Sequence, residues 1–381
     1  MKIVRMFAIV TAVAGCGIMA ARYTPPAAAE AVYDTSAGRV NVTRIVGGLD
    51  VPWAVAPLPG GGAIITENGG TLLLFDADWT RQEVAGLPPI AHGGQGGLLD
   101  VTLAEDFSES RTLFLTFSEA ADGGRRTTMV TARLSDDGAR LEGVTPLFEQ
   151  SPAIGGSRHF GSRVVEAPDG TLYITTGDRG DRPTAQLLDH GMGKVMRINR
   201  DGSVPTDNPF FGQDGAQPQI WSYGHRNIQG AALDEDGRLW TLSHGARGGD
   251  ELNLALPGLN YGWPEISYGT HYSGAKIGSG TARQGMEQPK WYWDPSIAPS
   301  GLMIYSGALF PEWRGDAFAG ALKLDYISRL DRDGDSIAGE EKLFEDSYSR
   351  IRDIVEAPDG SIWFLSVGDG ALFRIAPADA S

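Results

Sequence analysis

One pattern recurs along the chain and restricts its fold more than any other: a short apolar run, a tight turn and a second apolar run. In the copy between Val164 and Ile174, the turn is Ala167-Pro168-Asp169-Gly170. Pro presets φ, Asp bonds its own backbone and Gly tolerates a positive φ, so this tetrapeptide favours a reverse turn between two strands. The pattern occurs in the ranges 53–75, 98–117, 158–181, 230–242, 301–330 and 351–365.

Six such units predict an all-β fold, a six-bladed β-propeller in which each unit forms the inner half of a four-stranded blade. The 52 glycines and 22 prolines fall between short apolar runs, which is typical of a β-protein with many turns. No stretch has a sustained helical period. The uneven spacing predicts long inter-strand loop insertions, mainly around 178–220 and 245–300. We therefore expect residues 30–381 to form a single propeller domain.

The first 29 residues are expected to be a leader rather than part of this domain. A basic start is followed by an apolar run, residues 6–14, that is too short to span a bilayer. Val13-Ala14-Gly15-Cys16 fits a lipobox that would place a lipid anchor on Cys16. Ala27-Ala28-Ala29 instead fits an ordinary signal-peptidase site. Either alternative predicts a periplasmic or secreted protein with no membrane span.

Composition excludes some functions. Cys16 is the only cysteine, so the domain has no disulfide, no catalytic thiol and no zinc–cysteine site. The formal net charge of -16 argues against a nucleic-acid partner.

Two polar residues stand at the ends of the third unit. His159 lies just before its first strand and Asp178 just after its second, so antiparallel pairing brings both to the same end of the ladder. A histidine beside a carboxylate suits a general base and its neighbour. The alternative at this stage is a histidine with a purely structural role.

Loops beside other units carry polar residues that core packing does not require. Gln95 lies in a glycine-rich loop, where backbone can approach a ligand closely. In a propeller, such loops surround one channel mouth, so their side chains can converge on one ligand. Arg226, Lys323, Arg350 and Arg352 come from three units of an acidic chain and predict a pocket for a small polyanion. Arg350 and Arg352 alternate, so on a strand they would share one face. Each cation taken alone could be a solvated loop residue.

Eight short motifs occur in order between Val51 and Ile375. They are Gly93-Gly94-Gln95-Gly96-Gly97-Leu98, Arg158-His159-Phe160-Gly161-Ser162-Arg163, Gly224-His225-Arg226-Asn227, Asp250-Glu251-Leu252-Asn253, Asn260-Tyr261-Gly262-Trp263-Pro264, Ile297-Ala298-Pro299-Ser300-Gly301, Leu322-Lys323 and Arg350-Ile351-Arg352. Together they resemble the soluble pyrroloquinoline-quinone (PQQ) sugar dehydrogenases, specifically the bacterial aldose sugar dehydrogenase branch. That family has a six-bladed propeller fold.

The resemblance implies oxidation of the anomeric carbon of an aldose to the lactone, with hydride transfer to PQQ. His159 matches the catalytic base, Asp178 the carboxylate beside it, and Arg226 a cation near the quinone. PQQ carries three carboxylates and quinone oxygens, which cations would neutralise. The implied cofactor-binding residues are Gln95, Arg226, Asn227, Tyr272, Lys323, Arg350 and Arg352. A quinone or a small redox protein would accept the electrons.

The resemblance also implies bound Ca²⁺, a hard cation that prefers oxygen ligands. One calcium site of the family matches Glu251 and the backbone carbonyl of Tyr261. A second calcium touches the cofactor through two backbone carbonyls, whose positions match Gly245 and Ala246. Ala246 departs from the proline common in the glucose-specific branch but keeps the carbonyl. From the residues alone, a solvated acidic turn is the favoured interpretation of Asp250 and Glu251.

Other site classes lack their sequence signatures. The six histidines have no zinc-ligand spacing, no Gly-x-Ser-x-Gly elbow is present, and no dinucleotide fingerprint follows a strand. Two alternatives stay open: a calcium-dependent lactonase on a similar propeller, and an exported propeller that only binds a partner. Only the dehydrogenase accounts for His159 together with the four cations.

Overall fold

The computed structural model describes residues 30–378, which form six antiparallel sheets. The predicted leader, with Cys16, lies outside the described residues. The chain enters through two strands, β1 (Ala31–Thr35) and β2 (Gly38–Gly47). Within residues 30–378, no helix has the length and apolar character needed to cross a membrane.

Each of the next five sheets is a blade of four strands that are neighbours in both sequence and space. Blade 1 contains β3 (Pro52–Pro57), β4 (Ala63–Glu67), β5 (Thr71–Phe75) and β6 (Arg81–Glu83). Blade 2 contains β7 (Leu98–Leu103), β8 (Thr112–Ala121), β9 (Gly124–Leu134) and β10 (Leu141–Glu149). Blade 3 contains β11 (Gly161–Glu166), β12 (Thr171–Thr176), β13 (Lys194–Asn199) and β14 (Ile220–Tyr223).

Blade 4 contains β15 (Ile228–Leu233), β16 (Leu239–Ser243), β17 (Asp250–Leu254) and β18 (Trp291–Trp293). Blade 5 contains β19 (Pro299–Ile304), β20 (Ala317–Ala321), β21 (Ile327–Asp333) and β22 (Ser336–Leu343). Blade 6 begins with β23 (Ile351–Glu356), β24 (Ile362–Ser366) and β25 (Ala371–Pro377). Helix in the described chain is limited to α1 (Phe107–Ser110) and the 3-10 turns Arg182–Gln186 and Pro311–Trp313.

The N-terminal strands complete blade 6 and close the ring. β2 pairs antiparallel with β25, with Val42 opposite Ile375, and β1 pairs with β2. The inner strands β3, β7, β11, β15, β19 and β23 contact one another in succession, and β23 contacts β3. Joining strands from the two ends of the chain leaves no open edge between the first and last blades.

A hydrophobic cluster fills each junction between neighbouring blades. Phe114 of blade 2 packs with Ile174 of blade 3, for example, and Phe318 of blade 5 packs with Phe364 of blade 6. All six residues of β12 are buried, because a middle strand is covered by a blade on each side. This explains why the inner units read as continuous apolar runs rather than as an alternating pattern.

The predicted fold class is confirmed: the chain is nearly all strand and forms six blades. Each of the six predicted units supplies the two inner strands of one blade. Long inter-strand insertions are present as predicted, but the ranges assigned to them also contain the strands β13, β17 and β18. Lys194 and Arg197 interrupt the apolar residues of β13, and β17 begins with two acidic residues, so neither reads as a strand in the sequence. The long loops are 177–193, 200–219 and 255–290.

Candidate active site

The antiparallel pairing of β11 with β12 brings His159 and Asp178 into contact. Nδ1 of His159 lies 2.6 Å from Oδ1 of Asp178. Close approach of the two strand ends depends on Gly177, where a Cβ atom would lie 2.1 Å from the carbonyl oxygen of His159. The Asp178 carboxylate is fully buried and also accepts hydrogen bonds from the Gly180 amide and the Trp263 indole, each at 2.8 Å.

The surroundings of this dyad keep the imidazole neutral. Burial lowers the pKa of His159, and the hydrogen bond to Asp178 only partly opposes this effect. Burial also raises the pKa of Asp178, but the contact with His159 and the charge of Arg226 outweigh it and leave that pKa below its ordinary value. The ionised carboxylate therefore accepts the Nδ1 proton, and Nε2 is left as the basic nitrogen of His159.

Arg226 lies beside the dyad on the loop before β15. Its Nη1 donates to the carbonyl of His244 at 3.1 Å, and its guanidinium carbon lies 5.3 Å from the centre of the Trp263 ring. Burial lowers the pKa of Arg226, opposed mainly by the charge of Asp178. Among the described residues, its buried Nε has no hydrogen-bond partner. A buried guanidinium with an unused donor is a binding site for an anion or a carbonyl oxygen.

Two adjoining cavities open at this mouth of the propeller and share four lining residues: Gln95, His244, Ala298 and Lys323. The dyad cavity, of about 430 Å³, is also lined by His159, Arg226, Gly245, Ala246 and Tyr272. The channel cavity, of about 680 Å³, is also lined by Asn227, Arg350 and Arg352. Together the two cavities are large enough for a tricyclic cofactor and a small substrate.

The structure thus brings together every residue assigned to the base and the cofactor, with Asp178 directly behind His159. Gln95 accepts the His159 amide at 2.7 Å through its side-chain oxygen, and Asn227 accepts the Gly161 amide at 3.2 Å. These two amide side chains hold the loop that carries the base. Tyr272 is 70% exposed and stands at the rim.

Arg350 and Arg352 reach the same cavity by a geometry other than the predicted alternation on a strand. Arg350 precedes β23 with a φ of 55°, and a bulge in the pairing of β23 falls at Arg352. Arg352 donates to the side chains of Gln229 at 3.0 Å and Ser300 at 3.2 Å. Burial, with the nearby charges of Arg163 and Arg350, lowers the pKa of Arg352 to about 9.

A buried ionic cluster lies next to Trp53 and Arg352, two residues that line the channel cavity. Arg163 contacts Asp100 at 2.9 Å and Asp353 at 2.8 Å, and all three side chains are buried. The Trp53 ring lies 4.4 Å from the guanidinium carbon of Arg163 and 5.5 Å from that of Arg352. Arg163 is paired with Asp100 and Asp353, whereas Arg352 has no carboxylate within ion-pairing distance in the described chain. The charge of Arg352 can therefore interact with a ligand in the channel cavity.

The loop between β16 and β17 carries the first pair of residues assigned to calcium. Gly245 packs tightly against the loop, since a Cβ there would lie 2.2 Å from the carbonyl oxygen of Gly248. Asp250 anchors the loop by accepting the Gly245 amide at 2.7 Å and the Ile297 and Ala298 amides at 2.8 and 2.9 Å. Neither the Gly245 nor the Ala246 carbonyl oxygen accepts a hydrogen bond within residues 30–378. Two unused carbonyls on a braced loop suit a hard cation.

Glu251 and Tyr261, the second pair assigned to calcium, line neither cavity. Burial raises the pKa of Glu251 to about 7, although Asn253 donates a hydrogen bond to its carboxylate. The Tyr261 hydroxyl is engaged by Leu254 and Leu256, so only its backbone carbonyl would be available as a ligand. Within the described chain, no three His, Cys, Asp or Glu side chains converge as a metal site. Calcium would therefore depend on carbonyl oxygens.

Sequence reasoning missed two residues of this site. Trp263 belongs to a quoted motif, but nothing in the sequence connects it to Asp178, 85 residues away. His244 lines both cavities and contacts the Pro299 carbonyl through Nε2 at 2.8 Å. Burial lowers the pKa of His244 to about 3, so it is a neutral part of the wall.

One mouth of the propeller thus combines a neutral histidine, an ionised aspartate and cations that have no carboxylate partner within residues 30–378. The Glucose / Sorbosone dehydrogenase family matches residues 49–374. The aldose sugar dehydrogenase YliI of Escherichia coli (strain K12) is 41% identical over 345 residues, which cover 89% of this chain and 93% of that protein. The chain therefore belongs to the glucose/sorbosone dehydrogenase family, and the predicted family is confirmed.

Solved structures agree with this assignment. The soluble aldose sugar dehydrogenase of Escherichia coli, in its apo form, is 41% identical with a TM-score of 0.86, covering 89% of this chain and 99% of that one. The PQQ-bound aldose sugar dehydrogenase of Streptomyces coelicolor is 26% identical with a TM-score of 0.74, covering 91% of this chain and 99% of that one.

Proposed function

We propose that the protein is a PQQ- and calcium-dependent dehydrogenase that oxidises the anomeric carbon of an aldose to the lactone. The observation that carries the proposal is the convergence of His159 with Arg226, Lys323, Arg350 and Arg352 on two adjoining cavities. Relatives named as aldose sugar dehydrogenases, one of them solved with PQQ bound, support the choice of substrate and cofactor.

The donor set fits PQQ. None of Arg226, Lys323, Arg350 and Arg352 has a carboxylate within ion-pairing distance among the described residues, so their charges can neutralise those of the cofactor. A bound anion would offset the repulsion between Arg352 and the neighbouring Arg163 and Arg350, and it could accept from the unused Nε of Arg226. The carbonyls of Gly245 and Ala246 would hold the calcium that touches the cofactor.

In the proposed mechanism, Nε2 of His159 takes the proton of the anomeric hydroxyl. The electron pair of that O–H bond forms the carbonyl of the lactone while the C1–H bond breaks. When bound, PQQ would supply the acceptor for the hydride, and a calcium ion held by the carbonyls of Gly245 and Ala246 would make the quinone a better acceptor. Asp178 stabilises the imidazolium that forms at His159, and Trp263 and the Gly180 amide hold Asp178 in position. Arg226 stabilises negative charge that develops next to the dyad.

Reconstitution tests this proposal against the lactonase and the binding propeller. The purified apoprotein should oxidise glucose with an artificial electron acceptor only after PQQ and Ca²⁺ are added, with activity saturating as PQQ is titrated. A lactonase would instead hydrolyse a sugar lactone with Ca²⁺ and no quinone. Lactone hydrolysis in the quinone-free protein, with no sugar oxidation after loading, would contradict the dehydrogenase.

Replacing Arg352 should lower the affinity for PQQ without lowering the thermal stability of the apoprotein. Arg352→Gln removes a buried charge that the protein leaves without a carboxylate partner, so we expect PQQ affinity to fall by roughly 1.5–3 kcal/mol. The apoprotein should unfold at the same temperature or higher, because a repulsion with Arg163 and Arg350 is lost. PQQ titration and thermal melts measure the two effects. Arg374→Gln is the control, since Arg374 pairs with Asp359 on the same blade and away from the cavities. Unchanged PQQ affinity in Arg352→Gln would place this residue outside the cofactor site.

A further inference from the structure

A second group of cations lies beside the dyad and lines neither of the two cavities. Arg125, Arg158, Arg179 and Arg182 have no carboxylate within ion-pairing distance in the described chain, and we call them the arginine arc. Arginines elsewhere are commonly paired: Arg329, for example, contacts both Asp316 and Glu341. The chain has a net charge of -16, so four arginines without carboxylate partners in the described residues make this rim locally positive.

The arc is held in place by backbone carbonyls rather than by acids. Arg179 is 2% exposed and donates to the carbonyls of Arg158 and Gly156, the latter at 3.0 Å. Arg125 donates to the Gly93 carbonyl at 3.0 Å. Such bonds fix the side chains and leave their charge uncompensated. Burial and the charge of Arg125 accordingly lower the pKa of Arg179 to about 10.

Two members of the arc flank the dyad itself. The Arg158 side chain lies over Gly180, where an added Cβ would be 2.9 Å from its Nε. The Gly180 amide in turn donates to Asp178. Arg182 contacts Nδ1 of His271 at 2.8 Å, and its guanidinium carbon lies 5.4 Å from the centre of the Trp263 ring. A single residue thus separates each arginine from Asp178 in space: Gly180 for Arg158 and Trp263 for Arg182.

The arc and three of the four cofactor cations occupy opposite parts of the ring, whereas the fourth, Arg226, lies beside the dyad. The arc comes from β9 and from the loops before β11 and after β12, in blades 2 and 3. Lys323, Arg350 and Arg352 belong to blades 5 and 6. None of the four arginines of the arc lines either cavity. A substrate with its anomeric carbon at His159 would therefore meet the arc only with its remote end, outside the dyad cavity.

We propose, on the basis of the function proposed above, that the arginine arc selects aldoses carrying an anionic group at the end remote from the anomeric carbon. A hexuronate carboxylate and an aldose 6-phosphate share this chemistry. Arginine binds either group with charge-assisted, often bidentate, hydrogen bonds. Uncompensated positive charge at the rim would also raise the rate at which such sugars arrive.

The test compares glucuronate and glucose 6-phosphate with glucose on the PQQ- and calcium-loaded enzyme, using one artificial acceptor at low and high salt. At least one anionic sugar should have a kcat/KM about tenfold or more above that of glucose, and salt should reduce this advantage. Which of the two sugars gains identifies carboxylate or phosphate as the recognised group.

Variants then assign the effect to the arc. Arg182→Gln and Arg158→Gln should each lower the anionic-to-glucose ratio of kcat/KM by about tenfold. Arg314, on the connection between β19 and β20, is paired with Glu235. Arg314→Gln removes the same charge as the arc variants and should leave the ratio unchanged.

Oxidation of glucose with no anionic preference would overturn the inference while the proposed function stands. An equal loss with glucose in the arc variants would also overturn it, because the arc would then act on the acceptor or the dyad. If no sugar is oxidised after loading, both proposals fail.

Discussion

His159→Gln should lower kcat by about 100-fold or more while leaving folding and PQQ affinity close to those of the parent protein. The loss is the usual scale for removing a general base, and glutamine has no nitrogen that can take the anomeric proton. His159 contacts the protein through its amide and Nδ1, so the variant removes one buried contact with Asp178 and none of the cofactor cations. Steady-state kinetics on the loaded enzyme and a PQQ titration measure the two properties.

The chain offers a matched control for this variant. His190 also has Nδ1 at 2.6 Å from a carboxylate, that of Asp189, but this pair lies at the surface away from both cavities. His190→Gln should therefore leave turnover unchanged. If His159→Gln retained the parent kcat, the base would have to be another group.

His159 should also determine how kcat/KM decreases on the acid side of the pH profile. Only neutral His159 can accept the proton, so kcat/KM for a neutral sugar should fall as pH decreases through the pKa of this imidazole. Burial and the charges of Arg226 and Arg158 lower that pKa from 6.5, against the effect of Asp178, and this places the half-maximal rate below pH 6.5. The acid limb should be absent from the residual activity of His159→Gln.

The blades could be predicted from the sequence because each inner pair has a local signal. Pro168-Asp169-Gly170 and Pro358-Asp359-Gly360 favour tight turns whatever surrounds them, and the runs beside them are apolar because both faces of a middle strand are buried. The closure of the ring had no such signal. β2 reads as an ordinary strand, and its pairing with β25 depends on contacts more than 300 residues apart in sequence, such as Val42 with Ile375.

The candidate site was predictable where one motif carries one residue, and not where the contact depends on a long loop. His159 and Asp178 converge because a hairpin joins them, which the sequence shows. Trp263 reaches Asp178 from the 255–290 loop, and no local pattern indicates how a loop of that length folds back. The arginine arc could not be predicted for a different reason: single arginines are common in any sequence, and only the structure shows that these four lack carboxylate partners within residues 30–378.

Chelation of calcium should release PQQ and abolish sugar oxidation while leaving most of the β-structure intact. Gly245 and Ala246 line the dyad cavity, and their carbonyls accept no hydrogen bond within the described chain, so an ion bound by these carbonyls would link this loop to the cofactor. The hydrophobic clusters at the six blade junctions do not include this loop and should survive. Absorbance of the filtrate from the chelated enzyme measures the released PQQ, and far-UV circular dichroism of the retained protein measures the remaining β-structure.

Add-back then separates the roles of the two ligands. After dialysis, neither Ca²⁺ alone nor PQQ alone should restore sugar oxidation, whereas both together should. Recovery of sugar oxidation with Ca²⁺ and no quinone would show that the hydride acceptor is not PQQ, and recovery with PQQ in the presence of chelator would show that calcium is dispensable. The first result would refute the proposed function, and the second would refute only its calcium requirement.

Glu251 makes the calcium requirement depend on pH in a direction that can be checked. Burial raises the pKa of this carboxyl to about 7, so part of the apoprotein carries it protonated at neutral pH. A calcium ion would bind only the ionised form and would have to displace that proton, so calcium affinity should rise with pH between about 6 and 8. Glu251→Gln should raise the calcium concentration needed for reconstitution and remove this pH dependence.

Glu345→Gln is the control, at an exposed residue near Lys342, and should change neither the calcium concentration needed nor its pH dependence. If Glu251→Gln rebinds calcium as the parent does, no calcium ion lies at this carboxylate, and the carbonyls of Gly245 and Ala246 would account for the calcium requirement by themselves.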